Sequence, residues 1–277
     1  MISAVASHLG LREEPFRDSL DERFYYPSPK HERAFATMAY CILQHEPAAL
    51  IVGASGIGKS LVAKRLLSHL SQHPEFQFAW VIAAPGMPKT SLLREIAREA
   101  DIQLDTRPTS ATQRLLEEIQ GYIIDLYASG RRLVFILDEV HFLPSQSLHL
   151  VRTLTNIETP EEKLITAVFI GEPRFLQRLS QPTYDSLRGR IKSIARLEPL
   201  SREETEQYIK HRLRVAGGSE DLFAPDTYDL IHQHSGGICR NINKIAGQAL
   251  FNAVFADMGH VTRAAVEEAI ADLEGIL

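Results

Sequence analysis

Cysteine and long apolar runs are both scarce in this chain of 277 residues. The two cysteines, Cys41 and Cys239, match no CxxC or metal-ligand spacing, which predicts reduced thiols typical of a cytosolic protein. The longest apolar runs, such as Leu133–Leu137, are far too short to cross a bilayer, and the first ten residues lack the layout of a signal peptide. Work at a membrane would therefore require docking through a partner or through a part absent from this chain.

An excess of positive charge is also missing, because the formal net charge is -5. The chain therefore has no overall basic field that would draw it onto nucleic acid. A local basic run, Arg188, Arg190, Lys192 and Arg196, leaves a contact with a duplex backbone open. Apolar residues make up 44% of the chain and charged residues 23%, which predicts a packed core rather than disorder.

Short apolar segments alternate with helical patterns over the first two thirds of the chain. They lie at Ala48–Val52, Phe78–Ala84, Leu133–Leu137 and Leu164–Ile170. Strands that are apolar almost throughout predict a parallel sheet covered on both faces by helices. Beyond about residue 198 the pattern is helical only, and it opens on a capping box formed by Ser201 and Glu204.

One glycine-rich segment follows the first apolar strand directly and precedes a helix. It matches GxxxxGK[ST] at every specified position and reads Gly53, Ala54, Ser55, Gly56, Ile57, Gly58, Lys59, Ser60, with Leu61 next in the helix. Glycines let consecutive backbone N–H groups curve around phosphate oxygens, and the helix N-terminus favours an anion. We expect Lys59 to reach the β- and γ-phosphates of a nucleotide and the Ser60 hydroxyl to ligate Mg²⁺.

Two carboxylates, Asp138 and Glu139, end the buried strand Leu133–Leu137. Ligands of open α/β sheets bind at the carboxyl ends of the strands. Asp138 is expected to hold Mg²⁺ through water, and Glu139 to orient and polarise the water that attacks the γ-phosphate. Further cations are needed to stabilise the transferring phosphoryl group, and Arg188, Arg190 and Arg240 are candidates by position alone.

Several motifs together resemble the ExeA-like AAA+ ATPases of bacterial secretion and pilus assembly. They are Leu9–Phe16, Phe24–His31, Gly171–Pro173, Leu197–Thr205 and His234–Arg240. The resemblance runs from about Leu9 to the last helix, and the combination of the P-loop with the later motifs is far more specific than the P-loop alone. It implies a P-loop NTPase of the AAA+ class, with an N-terminal arm and core over residues 1–197 and a small helical lid over residues 198–277.

The resemblance also implies roles for the arginines. Arg240 would be the second sensor, reaching the γ-phosphate from the lid of its own subunit. Arg190, with Arg188 as the alternative, would be the finger inserted into a neighbour's site, so the active unit would be a ring or a helical homo-oligomer. The adenine pocket would be lined by the segment around Tyr26–His31 and by the lid.

The chain departs from the family pattern at two places. Glu172 stands where a glutamine is usual, so the first sensor is left unassigned. The second strand ends in Ala83 and Ala84, where a polar residue that restrains the catalytic glutamate is expected, which leaves the control of Glu139 open. Larger family members continue into a membrane span and a cell-wall-binding region, so the chain resembles either the short members or a part of a longer protein.

The leading functional hypothesis is an ATPase that uses ATP and Mg²⁺ to assemble or remodel a secretion or pilus system. Its partners would be membrane-associated proteins of that machine, and it would be cytoplasmic, docked at the inner membrane through them. The alternative is a target-selection or transposition regulator that forms ATP-dependent oligomers on duplex DNA. A nucleotide-binding switch with little turnover is disfavoured by the presence of both Lys59 and Glu139.

Overall fold

The computed structural model describes residues 8–104 and 112–275. They fall into two compact units. Of the described residues, the sheet unit comprises 30–53, 62–104 and 112–197, and the helical unit comprises 8–29, 54–61 and 198–275.

The sheet unit is built on a five-stranded parallel sheet in the order β2-β3-β4-β1-β5. The strands are β1 (Ala48–Val52), β2 (Phe76–Ile82), β3 (Arg132–Asp138), β4 (Ile165–Gly171) and β5 (Ile191–Arg196). The predicted parallel sheet is confirmed, and β1 has the predicted bounds.

The three central strands, β1, β3 and β4, are buried along almost their whole length. Leu133, Phe135 and Leu137 point to one face of β3 and join the main apolar core, while Val134 and Ile136, which are also buried, point to the other. Burial on both faces explains why these strands are continuous apolar runs in the sequence.

The helices before residue 198 alternate with the strands. They are α1 (Pro29–Leu43), α2 (Lys59–Leu70), α3 (Lys89–Glu99), α4 (Thr112–Ala128), α5 (Ser145–Leu154), α6 (Pro173–Leu179) and α7 (Asp185–Arg188). Leu92, Leu93 and Ile96 of α3 and Leu115 and Ile119 of α4 pack in the same core as the inner residues of β2 and β3.

Sequence reasoning missed β5, α6 and α7. β5 is an edge strand, and its alternate residues Lys192, Ile194 and Arg196 are exposed to solvent. Its sequence therefore lacks the continuous apolar run by which the central strands were recognised. Lys192 and Arg196 of the basic run, for which a contact with a duplex backbone was left open, lie on this edge strand.

The helical unit contains α8 (Arg202–Val215), α9 (Thr227–Ser235), α10 (Cys239–Phe255) and α11 (Arg263–Asp272). The capping box predicted at the start of α8 is present. The backbone N–H of Ser201 donates to Glu204 Oε2 over 2.8 Å, and the N–H of Glu204 donates to Ser201 Oγ over 3.1 Å.

The described part of the N-terminal arm belongs to the helical unit. Leu9, Leu11, Phe16 and Phe24 join the apolar core of the lid helices. The arm is also fixed by polar contacts, since the buried Arg212 donates to the backbone carbonyl oxygens of Pro15 and Arg17.

Within the described ranges, every helix is too short or too polar to cross a membrane.

Candidate functional site

The glycine-rich loop has the backbone that its sequence predicts. Gly56 and Gly58 have positive φ angles of 75° and 105°, a region that residues with a Cβ rarely occupy. Lys59 is buried, and its Nζ atom donates to the carbonyl oxygen of Ala54 over 2.8 Å. Ser60 and Leu61 follow in the first turn of α2.

The start of α10 lies against this loop. The backbone N–H of Arg240 donates to the carbonyl oxygen of Gly56 over 3.0 Å, and the Cys239 thiol is 3.7 Å from the carbonyl oxygen of Ile57. A Cβ built on Gly56 would lie 2.6 Å from Arg240 Cβ. Gly56 is thus required twice, for its positive φ and for the close approach of Arg240.

The guanidinium of Arg240 is held by two side chains of the helical unit. Its Nε atom donates to Asp18 Oδ2 over 2.8 Å, and its Nη1 atom donates to Ser55 Oγ over 3.1 Å. Sequence reasoning had singled out Arg240 and the loop, but not Asp18, which lies 222 residues away along the chain. Arg240 therefore reaches the segment predicted to bind phosphate.

β1, β3 and β4 are parallel neighbours, so their carboxyl ends lie on the same side of the sheet. Gly53 follows β1 and donates its N–H to the carbonyl oxygen of Gly171, the last residue of β4, over 3.2 Å. Asp138 is the last residue of β3 and is 4% exposed.

Glu139 has an unusual backbone, with φ 54° and ψ 34°. Its N–H donates to Asp138 Oδ1 over 2.8 Å. A glutamate in the left-handed region is uncommon, and such conformations are concentrated at functional sites.

Sequence reasoning missed His141, two residues beyond Glu139. Its side chain is 1% exposed, and its Nε2 atom lies 3.3 Å from Glu139 Oε2 and 3.9 Å from Glu172 Oε2. The backbone N–H of Glu172 donates to His141 Nδ1 over 3.3 Å. The available signal was a polar residue in the otherwise apolar turn Val140–Phe142.

Glu172, at the position left unassigned as first sensor, is paired with a cation of its own segment. Arg174 Nε lies 3.0 Å from Glu172 Oε2, and the Arg174 guanidinium stacks over the Phe142 ring at 5.0 Å. The negative charge of Glu172 is therefore partly compensated at the end of β4.

The two candidate finger arginines have different environments. Arg190 is partly buried and donates to Ser186 Oγ over 3.0 Å and to Asn156 Oδ1. Burial, and then the positive charge of Arg152, lower the pKa of Arg190. Arg188 is more exposed and forms a 2.8 Å ion pair with Asp185.

Residues 42–179 match the protein family described as "AAA domain". The fold is also that of solved AAA+ proteins. Cdc6p of Pyrobaculum aerophilum has a TM-score of 0.76 at 18% identity, with 95% of this chain and 72% of that chain covered. ORC2 of Aeropyrum pernix has a TM-score of 0.72 at 17% identity, covering 97% of this chain and 74% of that one. The chain therefore belongs to the AAA+ class of P-loop proteins.

Within that class, the predicted resemblance to the ExeA-like family is confirmed. The chain is 34% identical over 251 residues to general secretion pathway protein A of Aeromonas hydrophila, and the match covers 91% of this chain. The chain spans 45% of the length of that relative.

Proposed function

We propose that this protein binds ATP with Mg²⁺ on the loop Gly53–Ser60 and hydrolyses it. The observation that carries the proposal is the loop itself, with Gly56 and Gly58 at positive φ between β1 and α2. Such a loop directs backbone N–H groups and a helix N-terminus at phosphate oxygens. Asp138 and Glu139, at the carboxyl end of β3, are the acidic groups expected to hold the metal through water and to orient the attacking water.

Mg²⁺ fits the chemistry of this donor set. A serine hydroxyl and a carboxylate are oxygen ligands, which Mg²⁺ prefers, and it usually binds through a few of these together with substrate phosphates and water. Ser60 would supply the hydroxyl and Asp138 the carboxylate. The bound ion would neutralise charge on the β- and γ-phosphates.

A complete site between subunits is part of the proposal. Arg240 would contact the γ-phosphate from its own subunit, and Arg190, with Arg188 as the alternative, would come from a neighbour in a ring or helical homo-oligomer. The similarity to a general secretion pathway protein supports a role in assembling or remodelling a secretion or pilus system, with membrane-associated partners. The protein would act on the cytoplasmic side and dock at the inner membrane through them.

The first experiment compares ATP hydrolysis by the wild type, Lys59→Ala and Glu139→Gln. We expect Lys59→Ala to lose ATP binding, and Glu139→Gln to keep binding while hydrolysis falls by roughly 100-fold or more. Lys64→Ala, on the same helix, and Glu161→Gln, an exposed residue of the sheet unit, are matched controls that should retain activity. Equal hydrolysis by wild type and Glu139→Gln would contradict the proposal.

Duplex DNA binding separates the two biological roles. Arg188, Lys192 and Arg196 are exposed, which keeps the DNA-targeting alternative in view. Fluorescence anisotropy of labelled DNA is measured with Glu139→Gln, with and without ATP and Mg²⁺, while light scattering reports assembly. Binding that needs ATP and weakens steeply with salt would favour the DNA role, whereas assembly without binding would favour the envelope role.

A further inference from the structure

His141 stands between two acidic residues and a backbone amide, all within the sheet unit. Its Nδ1 atom accepts the N–H of Glu172, and its Nε2 atom lies 3.3 Å from Glu139 Oε2. The side chain is almost fully buried, at 1% exposure, so its orientation is set by packing rather than by solvent. The ring also lies against Phe142, with the ring centroids 4.3 Å apart.

The backbone amide decides which nitrogen of His141 carries the proton. A neutral imidazole has one donor and one acceptor nitrogen, and a backbone N–H can only donate. Because Nδ1 accepts from Glu172, the proton lies on Nε2, the nitrogen that faces the Glu139 carboxylate. A neutral donor of fixed direction is thereby presented to the residue expected to orient the attacking water.

This arrangement supplies what the end of β2 lacks. Ala83 and Ala84 follow β2 with no side chain that could donate to the catalytic glutamate. Glu139 also has a left-handed backbone, a conformation that is concentrated at functional sites. His141 is close enough to be that partner, and it is anchored to the end of β4 through Glu172.

We propose that His141 is a positioning residue that orients the carboxylate of Glu139 for ATP hydrolysis, with the backbone N–H of Glu172 fixing its tautomer. The proposal rests on the proposed ATPase function. The separation of 3.3 Å is long for a hydrogen bond, but catalytic hydrogen bonds often tighten only when substrate is bound.

A metal site is the competing interpretation of the same three residues. Glu139, His141 and Glu172 each place one ligand atom within 4.8 Å of the others. A metal would need the lone pair of Nε2, however, and the N–H of Glu172 already directs the proton to that atom. Arg174, 3.0 Å from Glu172 Oε2, also competes with a cation there.

The kinetic test compares variants that keep or remove the N–H donor. His141→Phe should lower kcat about 10- to 100-fold, the range typical of residues that orient an active group, and should leave the Kd for ATP within about twofold of the wild type. His141→Gln should retain most of kcat because its amide N–H reaches as far as Nε2, whereas His141→Asn is too short to do so. His149→Phe, the same change on α5 beside Tyr184, is the matched control and should be silent.

Two further results make the test decisive. In a Glu139→Gln background, His141→Phe should cause no additional loss, because the group it positions is gone. A kcat for His141→Phe within twofold of the wild type, a rise in kcat, or equal kcat values for His141→Gln and His141→Asn would each overturn the proposal. Thermal melting followed by the fluorescence of Trp80, the single tryptophan, shows whether each variant is folded. If His141→Phe is unfolded, the comparison of His141→Gln with His141→Asn decides the test.

Nitrogen-15 NMR of the histidines tests the tautomer without any turnover. The His141 signal, identified by its loss in His141→Phe, should be that of a neutral ring protonated at Nε2 and should shift in Glu139→Gln. A ring protonated at Nδ1 would overturn the proposal. Absence of hydrolysis in the wild type together with the Nε2 tautomer would count against the ATPase function, while the contact between His141 and Glu139 would stand.

Discussion

The Nε atom of Arg240 donates to the Asp18 carboxylate over 2.8 Å, so the N-terminal arm holds the arginine that also contacts Ser55 of the loop. If Arg240 is to bind the γ-phosphate, Asp18 and ATP compete for the same guanidinium. Both side chains are well exposed, at 46% and 62%, so the pair is screened by water and contributes only weakly.

The first prediction concerns this competition. Asp18→Asn should tighten ATP binding about 1.4- to fivefold, because an exposed ion pair contributes about 0.2–1 kcal/mol. The Kd for ADP should change less, since ADP lacks the γ-phosphate. Titration with a fluorescent ATP analogue measures both. Asp226→Asn removes the same charge from an exposed position of the helical unit and should have no effect. An unchanged Kd in Asp18→Asn would contradict the competition.

The second prediction concerns Gly56. Gly56→Ala should abolish ATP binding, because alanine is strained at φ 75° and its Cβ would lie 2.6 Å from Arg240 Cβ. Gly10→Ala is the matched control, with a similar φ of 72° and nothing within 4 Å of the added atom. In that variant the free energy of unfolding should fall by only about 1–2 kcal/mol, the backbone strain of alanine at this φ, and ATP binding should be retained. Binding is measured by calorimetry and stability by urea unfolding. Similar ATP affinities in the two variants would argue against the steric role of Arg240.

The third prediction concerns the clamp on the arm. Arg212 is buried and donates to Pro15, Arg17 and the Tyr208 hydroxyl. Arg212→Met should lower the free energy of unfolding by about 2–4 kcal/mol, because two carbonyl oxygens lose their donor. The variant should also expose the arm to limited proteolysis.

Arg214→Met is the control for this clamp. Arg214 lies two residues further along α8, is 58% exposed and pairs with Glu220. Its loss should cost less than about 1 kcal/mol. Circular dichroism during urea unfolding gives both values, and equal destabilisation by the two changes would show that Arg212 does not fix the arm.

The fourth prediction tests the proposed intersubunit finger by mixing variants. Arg190→Ala and Glu139→Gln should each be inactive alone, with roughly 10³-fold lower kcat for the arginine variant by analogy with other arginine fingers. Mixed in equal amounts, they should regain part of the activity, because some sites then combine an intact Glu139 with an intact Arg190 of a neighbour.

Arg188→Ala serves as the neighbouring control and should retain most activity. Arg190 is held by Asn156 and Ser186 of its own chain, so thermal melting must show that Arg190→Ala is folded. If Arg190→Ala is active alone, and a mixture of Arg188→Ala with Glu139→Gln regains activity, the finger is Arg188 instead. No restoration by either would argue against a shared site.

The parallel sheet and the loop could be predicted from local sequence patterns. β1 and the loop were found where the sequence placed them, because continuous burial and a phosphate-binding turn both constrain neighbouring residues directly. The edge strand β5 was not predicted, because a strand with exposed positions such as Lys192 and Ile194 has no continuous apolar run in its sequence. The sequence also did not show that the arm packs with the lid helices, since this depends on contacts of Phe16 and Phe24 with residues far along the chain.

The sequence by itself determined the residue types and spacing of the proposed site: the loop Gly53–Ser60, the pair Asp138 and Glu139, and Arg240 at the start of a helix. Only the tertiary structure decided which groups these residues face. Asp18 reaches Arg240 across 222 residues, and Glu172 fixes His141 across 31. Such contacts leave no local periodicity, because they arise when separate segments pack together, and they decide how a charged side chain is oriented.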